Sequence, residues 1–146
     1  MVDTNLKILL VDDEEKFLSS IAQRLALMGV ETLKAASGHQ AIQIARGTPL
    51  DPAIVDLQMP DMDGLVTIAK LKEVQPDLRS VLLTGHGNDK VKQATESLNS
   101  RYFEKHAMGD FWGFIDKLHT YGKVVVIRPN TGGIGTTPES AALHEF

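Results

Sequence analysis

Aspartate side chains follow two of the most apolar short segments of the chain. Asp12 and Asp13 come directly after Ile-Leu-Leu-Val, and Asp56 comes directly after Ala-Ile-Val within AIVDLQMPDMDG. Thr84 ends another apolar segment, and Lys105 follows a further one. Carboxylates can act as nucleophiles or bind hard cations, while a hydroxyl and an ammonium can contact charged oxygens. These residue types could perform chemistry together if the fold brings them to one place.

Five short apolar segments predict the strands that would position these residues. They are rich in Val, Ile or Leu with little polar alternation, which is typical of strands covered on both faces. The predicted strands are residues 7–11, 31–36, 53–57, 80–84 and 101–104. Apolar residues at helical spacing lie between them, as at Leu18, Ile21 and Leu25. This alternation predicts an α/β fold, a doubly wound five-stranded parallel sheet with helices on both faces.

The ends of these strands would form the candidate site, because ligands of a doubly wound sheet bind beyond the carboxyl ends of its strands. Two carboxylates ~4 Å apart repel each other by roughly 4 kcal/mol at an effective dielectric of ~20. A protonated acid or a bound cation relieves that repulsion. Oxygen ligands without His or Cys favour a hard ion such as Mg²⁺. With an ammonium and a hydroxyl nearby, the set suits phosphoryl transfer onto Asp56.

Each of these residues also has an ordinary structural interpretation. An acid after a strand often caps the next helix, as Asp12 or Asp13 could do. Thr84 alone is an unremarkable strand end, and Lys105 alone is a solvated charge. The joint placement at strand ends is what favours a functional site.

The composition excludes several other classes of protein. The chain has 146 residues, a net charge of −4 and no cysteine. These values predict one domain without a disulfide framework, a thiolate metal site or a broad nucleic-acid surface. No segment approaches the ~20 apolar residues that span a bilayer, and the N-terminus lacks a secretory pattern. We therefore expect a soluble, cytoplasmic protein without membrane or direct nucleic-acid contacts.

The segment after Tyr121 differs in composition from the rest of the chain. GKVVVIRP could form one additional strand, whereas NTGGIGTTPES is rich in glycine and polar residues. Such a composition predicts a flexible segment. The predicted organisation is a domain at residues 1–121 and a C-terminal tail at residues 122–146.

Four segments resemble the receiver domain of bacterial two-component response regulators. They are ILLVDDEE, AIVDLQMPDMDG, VLLTGHG and RYFEK, in the same order and with similar spacing. The resemblance covers residues 5 to 120 and implies a flavodoxin-like sheet with strand order 2-1-3-4-5. It implies a signalling module rather than an enzyme, one that assists its own phosphorylation and dephosphorylation. The implied partners are a sensor histidine kinase or phosphotransfer protein and an unidentified downstream protein.

The resemblance also implies roles for the acidic residues. Asp56 resembles the phosphoacceptor of the family. Asp13 and Asp56 resemble direct Mg²⁺ ligands, together with the backbone carbonyl of Gln58, and Asp12 resembles the acid that holds the ion through water. Mg²⁺ is thus the expected cofactor.

Further roles follow for residues around the acids. Thr84 and Lys105 match the residues that contact the bound phosphoryl group, and Tyr102 matches the aromatic switch that turns inward on activation. Gln58 and His86 are similar to residues that flank the site and tune the lifetime of the aspartyl phosphate. The implied consequence of phosphorylation is a changed protein-binding surface.

The chain departs from the family pattern after Lys105, where His106 replaces the usual proline. A cis peptide bond before a residue other than proline costs about 3 kcal/mol or more. We therefore expect a trans bond or a rearranged loop at this position.

A second interpretation is a Mg²⁺-dependent phosphatase with an aspartyl nucleophile, of the haloacid dehalogenase type. That family requires two acids separated by one residue after a single strand. Here Asp12 and Asp13 are adjacent, and Asp56 is followed by Leu57 and Gln58. The spacing therefore favours the signalling module.

Overall fold

The structure, a computed structural model, describes residues 7–127, with side chains described through Leu118. Five strands alternate with five helices along this part of the chain. The strands are β1 (Lys7–Val11), β2 (Glu31–Ala35), β3 (Ala53–Val55), β4 (Ser80–Thr84) and β5 (Arg101–Glu104). The helices are α1 (Glu15–Leu27), α2 (Gly38–Gly47), α3 (Gly64–Val74), α4 (Asp89–Ser97) and α5 (Met108–Ile127).

The five strands form one parallel sheet in the order β2-β1-β3-β4-β5. The predicted fold class and strand order are therefore confirmed. β1 lies between β2 and β3, and Val11 is in register with both Ala35 and Val55. The residues that follow β1 and β3 consequently leave the sheet side by side. This register is what brings Asp12 close to Asp56.

The sheet is buried on both faces because successive side chains of a strand point to opposite sides. In β1, Leu9 and Val11 join one apolar core, while Ile8 and Leu10 join the other. All four side chains are at most 2% exposed. The continuous apolar segments of the sequence thus reflect a sheet that helices cover on both sides.

Polar side chains begin three of the helices. Ser37 accepts a hydrogen bond from the amide of Gln40, and Asp63 and Asn88 cap α3 and α4 in the same way. These caps satisfy amides that lack a partner within the helix. The N-cap of α1 differs, because the side chain of Glu14 makes no capping hydrogen bond.

The C-terminal part of the described chain corrects one prediction. The segment GKVVVIRP could have formed a strand, but residues 122–127 continue helix α5. Extending an existing helix avoids the cost of nucleating a new element, and Val or Ile costs less than about 1 kcal/mol each in a helix. Residues 128–146, including the glycine-rich segment, lie outside the described residues. The division into domain and tail therefore stays a prediction.

Two strands are shorter than predicted. β2 ends at Ala35 rather than at residue 36, and β3 ends at Val55 rather than at residue 57. Asp56 thus stands directly after its strand. Within residues 7–127, no helix is both long and apolar enough to cross a membrane.

Candidate functional site

Three carboxylates converge at the carboxyl edge of the sheet. Asp12, Asp13 and Asp56 each offer an oxygen, and these oxygens lie within 4.8 Å of one another. Asp12 and Asp56 are buried, at 3% and 8% exposure, whereas Asp13 is exposed. The amide of Asp56 donates a hydrogen bond to the carbonyl of Val11, so the β1–β3 pairing continues up to the site.

The electrostatics of this cluster disfavour full ionisation. Burial raises the pKa of Asp56 to about 6, and the charge of Asp12 adds to this shift. Burial also raises the pKa of Asp12. A cation at the cluster would relieve the same repulsion, and an all-oxygen donor set suits Mg²⁺. The residues present therefore fit a hard divalent ion.

Lys105 supplies the positive charge of the site. Its Nζ lies 2.7 Å from Asp12 Oδ2, 3.1 Å from Glu14 Oε1 and 3.6 Å from Asp56 Oδ1. It also lies 4.2 Å from the centre of the Phe17 ring. Burial acts to lower the pKa of Lys105, but the hydrogen bond and charge of Asp12 outweigh burial and raise it. The ammonium stays charged and is shared among three carboxylates.

The backbone holds Lys105 at this position without the usual proline. Its amide donates to the carbonyl of Thr84 at 2.9 Å, which extends the pairing of β5 with β4. Within residues 7–127, the cis peptide bond is Asp51–Pro52, so the Lys105–His106 bond is trans. The expectation of a trans bond is correct, and Lys105 still reaches the acids. The His106 side chain lies outside the site, with Nε2 2.9 Å from Glu104 Oε1.

Thr84 ends β4 beside Lys105, and His86 lies in the loop between β4 and α4. Thr84 is fully buried, and its Oγ1 accepts a hydrogen bond from the amide of His86 at 3.1 Å. The side chain of His86 is exposed. The loop is thus fixed by the hydroxyl that is predicted to contact a phosphoryl group.

Tyr102 lies near this loop, on β5. Its hydroxyl donates to Glu104 Oε2 at 2.9 Å. A Cβ atom added at Gly87 would lie 1.7 Å from that hydroxyl, so the phenol packs directly over the Gly87 backbone. Burial raises the pKa of Tyr102 to about 12, and Glu104 adds to the shift. The predicted switch residue is therefore linked to the β4–α4 loop by contact.

The turn after Asp56 needs a glycine. The amide of Gly64 donates to the carbonyl of Leu57 at 2.7 Å, and an added Cβ would lie 2.2 Å from the Asp56 carbonyl oxygen. Any side chain at position 64 would push away the segment that carries Asp56. Gln58 lies in this turn with an exposed side chain, two residues after Asp56.

Sequence reasoning missed three acidic residues that contact the predicted set or hold its loops. Glu14 pairs with Lys105, Glu104 holds Tyr102, and Asp61 accepts hydrogen bonds from the start of α2. Glu104 could have been found, because residues two apart in a strand share a face. The Asp61 contacts join segments distant in sequence, so no local pattern predicts them.

Comparison with protein families identifies the architecture. Residues 8–109 match the family model described as the response regulator receiver domain. The sporulation initiation phosphotransferase F of Bacillus subtilis is 28% identical over 102 residues, covering 69% of this chain and 82% of that protein.

Two longer curated relatives match over part of their length. The photosynthetic apparatus regulatory protein RegA of Cereibacter sphaeroides is 40% identical over 80 residues, which cover 55% of this chain and 44% of RegA. The transcriptional regulatory protein GlrR of Escherichia coli is 35% identical over 81 residues, which cover 56% of this chain and 18% of GlrR. The chain thus spans less than half the length of either relative.

Solved structures show the same fold. A CheY-like receiver domain protein from Methanospirillum hungatei superposes with a TM-score of 0.75 at 22% identity, covering 82% of this chain and 97% of that one. A response regulator from Burkholderia pseudomallei, crystallised with a phosphorylated aspartic acid, a calcium ion and citrate, gives a TM-score of 0.71 at 25% identity. That match covers 88% of this chain and 75% of the other.

Proposed function

This chain belongs to the response regulator receiver domain family, a class of phosphoacceptor signalling modules, and we propose that Asp56 is its acceptor. The observation that carries the proposal is the position of Asp56, buried beside both Asp12 and the Lys105 ammonium. The donor is the phosphohistidine of a sensor kinase or phosphotransfer protein. Such donors receive their phosphoryl group from ATP. The proposal therefore places the protein in the cytoplasm.

The transfer uses the side chains that surround Asp56. A carboxylate oxygen of Asp56 attacks phosphorus, the bond from phosphorus to the donor histidine nitrogen breaks, and that nitrogen retains the electron pair. Lys105 and the Thr84 hydroxyl offset charge on the phosphoryl oxygens. Asp13, Asp56 and the Gln58 carbonyl would hold Mg²⁺, with Asp12 holding it through water. When bound, the ion would supply further charge stabilisation.

The output is a change in the surface near Tyr102. Contact of Thr84 with a phosphoryl group would alter the β4–α4 loop, on which the Tyr102 ring packs. A cavity of about 270 Å³ lies at this surface, lined by residues that include Asn88, Asp89, Lys92, Tyr102, Glu104 and Asp110. A local charge change that biases a two-state surface is an ordinary switch mechanism. The downstream partner would be a protein that distinguishes the two states.

Gln58 and His86 would tune the lifetime of the aspartyl phosphate. Both side chains are exposed, Gln58 two residues after Asp56 and His86 two residues after Thr84, and they would act on the access of water to the phosphoryl group. Substitution His86→Ala with a changed dephosphorylation rate would support this role, and an unchanged rate would remove it.

The decisive experiment is incubation with Mg²⁺ and acetyl phosphate, followed by intact mass measurement. The expected result is one added phosphoryl group, blocked by a chelator and lost in Asp56→Asn. Asp77→Asn is the matched control, because Asp77 is an exposed aspartate outside the site. An unmodified mass at saturating donor would contradict the proposal, and sustained turnover of phosphate esters would favour the phosphatase instead.

A further inference from the structure

Glu14 occupies an unusual position at the start of α1. It is the N-cap residue, where short polar side chains normally accept a hydrogen bond from the helix, yet its side chain makes no such bond. Its amide donates to Asp12 Oδ1 at 2.9 Å, which fixes its backbone beside the site. Its Oε1 lies 3.1 Å from Lys105 Nζ. The side chain thus contacts the site instead of capping the helix.

The pairing with Glu14 limits which oxygens the Lys105 ammonium can contact. The ammonium lies within hydrogen-bonding distance of Asp12 and Glu14, but 3.6 Å from Asp56. A phosphoryl group on Asp56 would use this ammonium as a partner, but Asp12 and Glu14 already accept hydrogen bonds from it. An ammonium has three N–H donors, so Glu14 occupies one that a phosphoryl oxygen would otherwise take.

We propose that Glu14 is a positioning residue whose carboxylate competes with the phosphoryl group for Lys105. It thereby weakens the phosphorylated state and slows its formation. This inference rests on the proposed function of Asp56. A substitution of Asp12 could not isolate its contact with Lys105, because Asp12 also belongs to the buried acid cluster. The Glu14 side chain is 68% exposed and lies outside that cluster.

Glu15 provides a matched control for charge. It is the adjacent residue, carries the same charge and is exposed in the first turn of α1. Among the residues that the structure describes, the carboxylates paired with Lys105 are Asp12, Glu14 and Asp56, so Glu15 is not one of them. The difference between Glu14→Gln and Glu15→Gln therefore reports the contact with Lys105 rather than the net charge of the surface.

The test measures the affinity for beryllofluoride, which takes the place of a phosphoryl group on an aspartate. Fluorine NMR titrations in Mg²⁺ would compare the full-length wild type with both variants. Glu14→Gln should bind roughly two- to fivefold more tightly than Glu15→Gln, as expected for a partly exposed ion pair. Phosphorylation by acetyl phosphate should accelerate in the same order.

Ionic strength separates this role from a change in packing. The gain in beryllofluoride affinity of Glu14→Gln over Glu15→Gln should shrink at high salt, because exposed charges are screened. A gain that persists at high salt, or affinities that are equal or reversed between the two variants, would overturn the inference. A wild type that neither binds beryllofluoride nor accepts a phosphoryl group would instead refute the proposed function of Asp56.

Discussion

At the scale of single residues, the charge of Asp56 opposes folding of the metal-free protein. Its pKa is about 6 in the folded state against an ordinary value of 3.8. The folded chain therefore binds more protons between these values, and its stability falls as pH rises through that window. At the proposed acceptor residue, function and stability therefore conflict.

Asp56→Asn should consequently stabilise the protein when no divalent ion is present. We expect the free energy of unfolding to rise by about 1–2 kcal/mol near pH 7.5, after allowance for solvent screening. The gain should disappear below about pH 3, where the wild-type carboxyl is mostly protonated in both states. Urea titrations in chelator over a pH series would measure it. Asp77→Asn should show no such pattern, and a gain that persists in acid would contradict the explanation.

The Tyr102 hydroxyl offers a second test at this scale. Burial raises its pKa to about 12, and the hydrogen bond to Glu104 contributes to the shift. Glu104→Gln should lower this pKa, because it removes the negative charge next to the phenol. Ultraviolet titration would measure the change in a Tyr121→Phe background, which leaves Tyr102 as the single tyrosine. An unchanged pKa would show that Glu104 does not hold the phenol in solution.

At the scale of elements, the turn after β3 is attached to the start of α2. Asp61 accepts hydrogen bonds from the amides of Gly38 and His39, at 3.2 Å and 2.9 Å, and its Oδ2 lies 2.6 Å from His39 Nδ1. The bond from the His39 amide is the main reason that the pKa of Asp61 lies well below its usual range. An added Cβ at Gly38 would lie 2.4 Å from Met62 Cγ, so the two segments pack without a gap.

Asp61→Ala should lower the melting temperature by a few degrees, because it leaves two amides at the start of α2 without their acceptor. Asp61→Asn, which keeps an acceptor oxygen, should lose less. A carboxyl with a lowered pKa stabilises the fold above its ordinary pKa, and that contribution is lost as pH falls through the folded pKa. The difference between wild type and Asp61→Ala should therefore shrink in strong acid. Thermal melts over a pH series would measure it; equal melting temperatures near neutral pH would contradict the attachment.

At the scale of the whole molecule, the sheet was predictable because its strands are apolar on both faces and are separated by helical periodicity. The same reasoning predicted that Asp12, Asp13, Asp56 and Lys105 would meet, since parallel strands end at one edge. The position of each residue directly after a predicted strand was sufficient to predict that they meet. The roles assigned to these residues remain predictions for the experiments above.

Other features depend on side-chain directions that chain positions do not reveal. Glu14 precedes α1 in the sequence, and nothing near it indicates that its carboxylate pairs with Lys105, which lies far along the chain. Residues 122–127 contain the β-branched pattern of a strand, but the helix before them continues instead. In that segment the preceding helix outweighs the local preference of the residues.

The separation of Lys105 from Asp12, 93 residues along the chain, has a consequence for biosynthesis. The ribosome releases both acid-bearing strands, β1 and β3, well before the lysine that neutralises them. Between the synthesis of Asp56 and that of Lys105, the growing chain holds all three acids without the lysine that pairs with them. Because β5 forms an edge of the described sheet and leads directly into Lys105, pairing of β5 with β4 is the step that adds the counter-charge to the pocket.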